Sequence, residues 1–163
     1  MATASPVYGT PTAMTITLAS LASDTNLVAG RESTALDQKD SLDAIDVLVG
    51  GKVTTGTSPT TSRQIEIWAY GSYDDTEFSG SATGSDANLT PDEKTNLRLL
   101  TMIPTVATSD KTYKWGPFSI AQAFGGVVPV QFGIYIVHNT AVNLNSTGGN
   151  HEVVYTTVKY ESA

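Results

Sequence analysis

The chain has 163 residues, one domain's worth of sequence, and no cysteine. Disulfide scaffolds, thiol catalysis, iron–sulfur clusters and Cys-based zinc sites are thereby excluded. A net charge of −7 opposes any approach to phosphate backbones, so nucleic acid is not an expected partner. Charged residues are 15% of the chain, while Thr alone numbers 24. That composition suits a β-rich, turn-rich protein with an uncharged polar surface.

Residues 1–13 are Ala, Thr, Pro, Gly and Ser around one pair, Val7-Tyr8. Pro6 and Pro11 forbid a helix and favour extended backbone. Two readings stand: a disordered tail, or an arm that lies on a neighbouring subunit with Pro6, Val7 and Tyr8 as its contacts. The same stretch has neither a basic n-region nor an apolar h-region, so it does not read as a secretory signal.

From residue 14 the text is strand-like: Met14, Ile16 and Leu18 alternate with threonines. Residues 26–29 and 32–36 flank Gly30, read as a tight turn between two strand pieces. Residues 44–53 form a longer strand, with Gly50-Gly51 permitting a bulge. Residues 63–70 alternate sharply, with Ile65, Ile67 and Ala69 on one face and Gln64, Glu66, Trp68 and Tyr70 on the other. Residues 71–88 are a long polar loop. Thr90-Pro91-Asp92-Glu93 has the spacing of a capping box, so a helical turn is expected to start there and lead into a strand over 97–106. Gly116-Pro117 breaks the next strand, and residues 121–124 suit one helical turn stopped by Gly125-Gly126. Residues 130–139 are apolar on both faces and so central. Residues 152–160 close the chain and are expected to form a hairpin with 130–139.

About eight strands with almost no helix predict an all-β fold: an antiparallel two-sheet sandwich of the jelly-roll kind over residues 14–163, with an extended N-terminal arm over 1–13. An immunoglobulin-like sandwich is the alternative, with Trp68 as its one weak core marker. The longest apolar runs, 125–130 and 132–137, fall far short of the ~20 residues a membrane helix needs, and no membrane partner is expected.

Few residue patterns point to chemistry. Asp37, Asp40, Asp43 and Asp46 recur every three residues, which is not the alternation of a calcium loop; they read as solvated loop and edge acids. Asp74, Asp75 and Glu77 make an acidic loop within 73–78, a weak cation ligand at most. His138 and His151 flank the 139–150 loop and are expected to bond loop backbone rather than a metal, for want of a third ligand. Glu66 beside Trp68 and Tyr70, with Tyr73 beyond, offers an aromatic strip of the type that stacks sugars. The competing reading buries Trp68 and Tyr70 under the 71–88 loop or against a partner. No second acid is placed opposite Glu66, and no nucleophile elbow or phosphate loop occurs. No catalytic residue, metal, cofactor or small-molecule substrate is expected, and the chain does not read as an enzyme.

Four phrases go together: Ser20-Leu21-Ala22-Ser23-Asp24-Thr25-Asn26-Leu27-Val28-Ala29-Gly30-Arg31-Glu32-Ser33; Gly51-Lys52-Val53-Thr54-Thr55-Gly56-Thr57-Ser58-Pro59-Thr60; Phe124-Gly125-Gly126-Val127-Val128-Pro129; and Val137-His138-Asn139-Thr140 with Leu144-Asn145-Ser146-Thr147-Gly148-Gly149-Asn150-His151. As a set they resemble the small virion-associated structural proteins of tailed bacteriophages. Within that class the chain is most similar to capsid decoration, or cement, proteins. The resemblance implies a homotrimer that clamps neighbouring subunits of the phage major capsid protein. It implies synthesis in the bacterial cytoplasm and a final place on the outer capsid surface. A glycan- or receptor-binding module of the tail or vertex is the alternative, with Trp68, Tyr70 and Tyr73 as its contacts.

Overall fold

The computed structural model describes residues 4–162, with the side chains of 4–161. Residues 1–3 of the expected arm, and residue 163, lie outside the described residues. The chain is all-β, built as two antiparallel sheets facing each other. Among the described residues eleven strands occur: β1 (Ala4–Tyr8), β2 (Thr12–Ala13), β3 (Gly30–Glu32), β4 (Leu36–Asp37), β5 (Asp46–Thr54), β6 (Arg63–Ser72), β7 (Ala87–Leu89), β8 (Arg98–Thr105), β9 (Thr112–Ser119), β10 (Gln131–His138) and β11 (Glu152–Ser162). Sheet A runs β1-β11-β5-β9, with β2 also on β11. Sheet B runs β7-β3-β10-β6-β8, with β4 also on β10. From β8 onward each successive strand lies in the other sheet, so the connections cross the sandwich.

Alternation explains the main core. Val47 and Val49 of β5 point inward to meet Ile65, Ile67 and Ala69 of β6 and Phe132, Ile134 and Ile136 of β10. Each such side chain is fully buried, and burial of this kind stabilises by about 2 kcal/mol for each Val, Ile or Phe and less for Ala69. β10 is central, as its apolar content predicts. Its other face carries Tyr135 and Val137, which join Tyr70, Ala82, Leu89 and Leu97 in a second cluster. Sheet B is therefore covered on both faces along β10 and β6, inside by sheet A and outside by parts of the segment from β6 to β8, while Leu99 and Met102 of β8 stay exposed. Gly133 makes room for the cover: a Cβ there would lie 2.2 Å from the ring of Tyr70, its cross-strand partner.

Four expectations need correction. β10 and β11 are not a hairpin, because they belong to different sheets; β10 pairs β6 and β3, and β11 pairs β5 and β1. The alternation at Met14, Ile16 and Leu18 does mark buried positions, but the segment joins no ladder. Its amides find other partners: Met14 N–H donates to Val153 O and Thr17 N–H to Asp86 Oδ1. Gly30 lies within a strand, not a turn; a Cβ there would sit 2.4 Å from Ile136 O. Thr90-Pro91 starts no helix. A single 3₁₀ turn forms later, over Lys94–Asn96, without a side-chain cap.

Elsewhere the local chemistry acts as expected, with one exception. Ser119 caps the one α-turn, α1 (Ile120–Ala123), by accepting from Gln122 N–H, and Gly125 and Gly126 follow with positive φ. A register shift falls near Gly50, but the extra residue is in β9, at Gly116-Pro117, where the peptide bond is cis. The break expected at Gly116-Pro117 is not found: the bulge absorbs the extra residue and β9 runs continuously through that point.

The N-terminal segment is extended, as its prolines require. Within the described residues it lies on its own chain: Ala4–Tyr8 pairs with the last five residues of β11. All five side chains are exposed, so the pairing rests on main-chain bonds.

Candidate interaction surface

The sequence-predicted contact residues separate into two groups. Trp68 and Tyr70 are not on the surface as a sugar-stacking strip. Tyr70 is 0% exposed, and burial pushes its phenol pKa up, helped by the nearby Glu32 charge. Its hydroxyl donates to Ser33 O. Trp68 is half-buried and donates through Nε1 to Glu66 Oε2 at 2.9 Å. Tyr73 is 81% exposed but stands alone beyond the end of β6. The strip fails because both faces of β6 are covered; sequence alternation shows which residues share a face, not whether a loop lies over it. Pro6, Val7 and Tyr8 are exposed, together on β1.

The charged groups inside the protein are satisfied by the protein itself. Glu66 accepts from Gln64 Nε2, Trp68 Nε1 and Lys94 Nζ. Lys94 also donates to Leu27 O and lies 4.8 Å from the centre of the Trp68 ring. Glu32, wholly buried, accepts from the amide and hydroxyl of Thr83 and from Gly84 N–H. Spacing shows Glu66 beside Trp68 but not the distant donors, since Lys94 lies 28 positions from Glu66 and Thr83 lies 51 from Glu32.

The histidines bond loop backbone, as expected. His138 donates from Nε2 to Leu21 O, which can only accept, and its Nδ1 meets the Thr140 hydroxyl at 2.9 Å. Burial pushes its pKa down to about 4, against the Leu21 bond and with the His151 charge adding to the drop. His151 Nε2 donates to Asn145 O, and Nδ1 accepts from Thr54 N–H. Its pKa is also lowered, chiefly by burial.

In the 37–46 run Asp40 and Asp43 are exposed, as expected of solvated acids, while Asp37 and Asp46 hold backbone amides. Asp37 accepts from Asp40 N–H, and Asp46 Oδ1 accepts from Val47 N–H and Ala121 N–H. In the acidic loop, Asp74 is held below the usual carboxylate range by the amides of Glu77 and Thr76. Asp75 pairs with Lys39. Among the described residues no cluster of three or more His, Asp or Glu side chains has the arrangement of a metal site. No helix among the described residues is long and apolar enough to cross a membrane.

Charge is partitioned by element. The strands of sheet A carry three acids and three bases, and so do those of sheet B. The remaining segments carry ten acids against three bases, the whole of the −7. Neutral sheets thus sit between negative loops.

Among the described residues the outer face of sheet A exposes Tyr8 and Tyr160 beside half-buried Leu48 and Val154 and a buried Val158; sheet B also exposes apolar side chains, Leu99 and Met102, on the β8 side of its outer face. Register sets the members of the sheet A face: Tyr8 opposite Val158, Pro6 opposite Tyr160, Val154 opposite Gly50, and Thr156 opposite Leu48. Charges stay at its ends. Lys52 pairs with Glu152 at one end, and Asp46 is tied to amides at the other. Between them lies a shallow groove of about 380 Å³, floored by Gly50 and Gly51 and bordered by Leu48, Pro117, Val154 and Thr156. An antiparallel sheet with one face on the core ordinarily shows polar side chains on the other. Sequence reading missed this face because the bulge at Gly116-Pro117 and the register of β5 on β11 both decide it.

No protein-family model matches the chain, and neither curated proteins nor solved structures yield a match.

Proposed function

We propose that the chain is a structural protein of a tailed-phage virion that decorates the outer capsid surface, bridges neighbouring major capsid subunits as a trimer, and stabilises the shell. The strand orders β1-β11-β5-β9 and β3-β10-β6-β8 support reading the sandwich as a jelly roll, an architecture used in viral capsid proteins and lectins alike. The observation that carries the reading is the partition of polarity. The inner acids and histidines are engaged with the protein's own donors and acceptors, and the sheets are neutral. What the molecule offers outward is contact area, not reactive groups. A decorating protein binds through several small contacts at once, and joined copies raise the effective concentration of each further contact.

The glycan-binding alternative draws on Trp68, Tyr70 and Tyr73. With Tyr70 buried and Trp68 bonded to Glu66, that strip offers a sugar only the lone ring of Tyr73.

The test is stoichiometry and shell strength. Virions carrying the protein should hold it at hundreds of copies, by quantitative mass spectrometry. Particles lacking it should open at lower temperature, and added purified protein should restore the loss. A count of three to eighteen copies per virion, or saturable binding to host polysaccharide lost in Tyr73→Ala, would move the assignment to the tail or vertex.

A further inference from the structure

We infer that the outer face of sheet A is a contact between two copies of this chain, in which Tyr8 and Tyr160 of each copy enter the glycine-floored groove of the other. The inference rests on the contact-protein reading above. Its test uses purified protein without any capsid, so the two can fail separately.

Charge selects the partner. A chain of net −7 repels its own copies wherever loops meet. On this face the charges balance and stay at the two ends, Lys52, Lys114 and Glu152 at one and the amide-bound Asp46 at the other. A neutral apolar centre inside a polar margin is the anatomy of a protein–protein contact. Its basic residues are Lys52 and Lys114, side by side at one end and offset by Glu152, too few to draw a nucleic acid or an anionic membrane to the apolar centre.

Shape makes the face complementary to itself. Tyr8 and Tyr160 are 63% and 62% exposed, and both stand on the outer side of the β1–β11 margin. Tyrosine supplies a large apolar ring with a polar tip, at low entropic cost when immobilised. The groove lies four to six residues further along β11, roughly 13–20 Å from Tyr160. It exists because two glycines face each other across β5 and β9. A Cβ on Gly116 would lie 2.6 Å from the Gly50 Cα, and Gly116 has φ +84. Side chains at these positions would fill the space. Projections and groove share one face, so the contact is two-fold: each copy gives and receives.

The lack of cysteine makes the test clean. In the double variant Thr156→Cys/Tyr160→Cys the two thiols sit four residues apart on one strand, too far for a bond within one chain. Oxidation should trap a disulfide-linked dimer at protein concentrations above the midpoint of pairing, which the loss of the Tyr160 ring raises. In sedimentation or light scattering, the unmodified protein should pair as concentration rises, reaching twice 17.1 kDa, or six times where each partner is already the proposed trimer. Thr156→Lys and Tyr160→Ala should each shift that midpoint at least tenfold, with an unchanged circular dichroism spectrum. Tyr73→Ala, off the face, should shift it by less than twofold. A monomer at every concentration overturns the inference. So does a trimer indifferent to both substitutions, which would still support the decoration reading.

Discussion

Lys94 Nζ lies 2.5 Å from Glu66 Oε2, and both groups rest against the indole of Trp68. This triad fastens the 3₁₀ turn before β8 onto the outer face of β6. It converts what looks in the sequence like a sugar-binding strip into a structural joint. Removing one partner of such a pair leaves a buried charge without its counter-charge. Lys94→Met should therefore lower stability by about 3 kcal/mol in urea unfolding. The double variant Glu66→Gln/Lys94→Met should regain at least half of that loss. If the single and double variants are equally destabilised, the ion pair is not what holds the turn.

Glu32 makes a second joint, without any cation. Its carboxylate gathers three donors from Thr83 and Gly84 and so ties the 79–86 segment to β3. Glu32→Gln places an amide NH₂ against donors that need an acceptor. A loss of about 2 kcal/mol is expected from the unpaired groups. Amide exchange at Thr83 and Gly84 should accelerate more than exchange in β10. Uniform acceleration across both would mean that Glu32 supports the whole fold rather than this segment.

The two histidines give the fold an acid limit. His138 titrates near 4 in the folded protein and near 6.5 when unfolded, so between those values the unfolded chain binds more protons. The contribution is complete above pH 6.5 and is lost as pH falls toward 4. Its size is about 3 kcal/mol for the shift that burial imposes. Protonating His151 adds to the loss in the same direction, because its Nδ1 would then present a proton to the Thr54 amide. Unfolding free energy measured from pH 7 to pH 4 should fall steadily. His138→Gln should remove most of that slope while lowering stability at pH 7. An unchanged slope in the variant would place the acid sensitivity elsewhere.

The β architecture was legible because alternation is a local property. Ile65, Ile67 and Ala69, or Val47 and Val49, declare a buried face within one strand. What could not be read was assignment of strands to sheets. β10 and β11 look like neighbours because a turn-rich stretch separates them, yet the chain crosses the sandwich there. The same limit hid the cover over Trp68 and Tyr70, since Leu89, Leu97 and Lys94 reach them from distant positions. The exposed face of sheet A was equally out of reach. Val154 and Thr156 read as one side of an ordinary strand until β5 sets Gly50 and Leu48 beside them.

The N-terminal strand gives a prediction that bears on both sheet edge and assembly. Ala4–Tyr8 contributes main-chain bonds to β11 but no buried side chain. Deleting residues 1–9 should keep the circular dichroism spectrum and cost about 1 kcal/mol, a fall of roughly 2–4 °C in melting temperature for a chain of this size. The deletion bares the edge of β11 over Val158–Ser162, and an unpaired edge recruits strands. A synthetic peptide of residues 1–9 should bind the truncated protein and leave the intact one untouched, read by titration calorimetry. Sheet A would then show an edge that either its own strand or another copy's can fill. Loss of the native spectrum on truncation would instead make β1 part of the folding core.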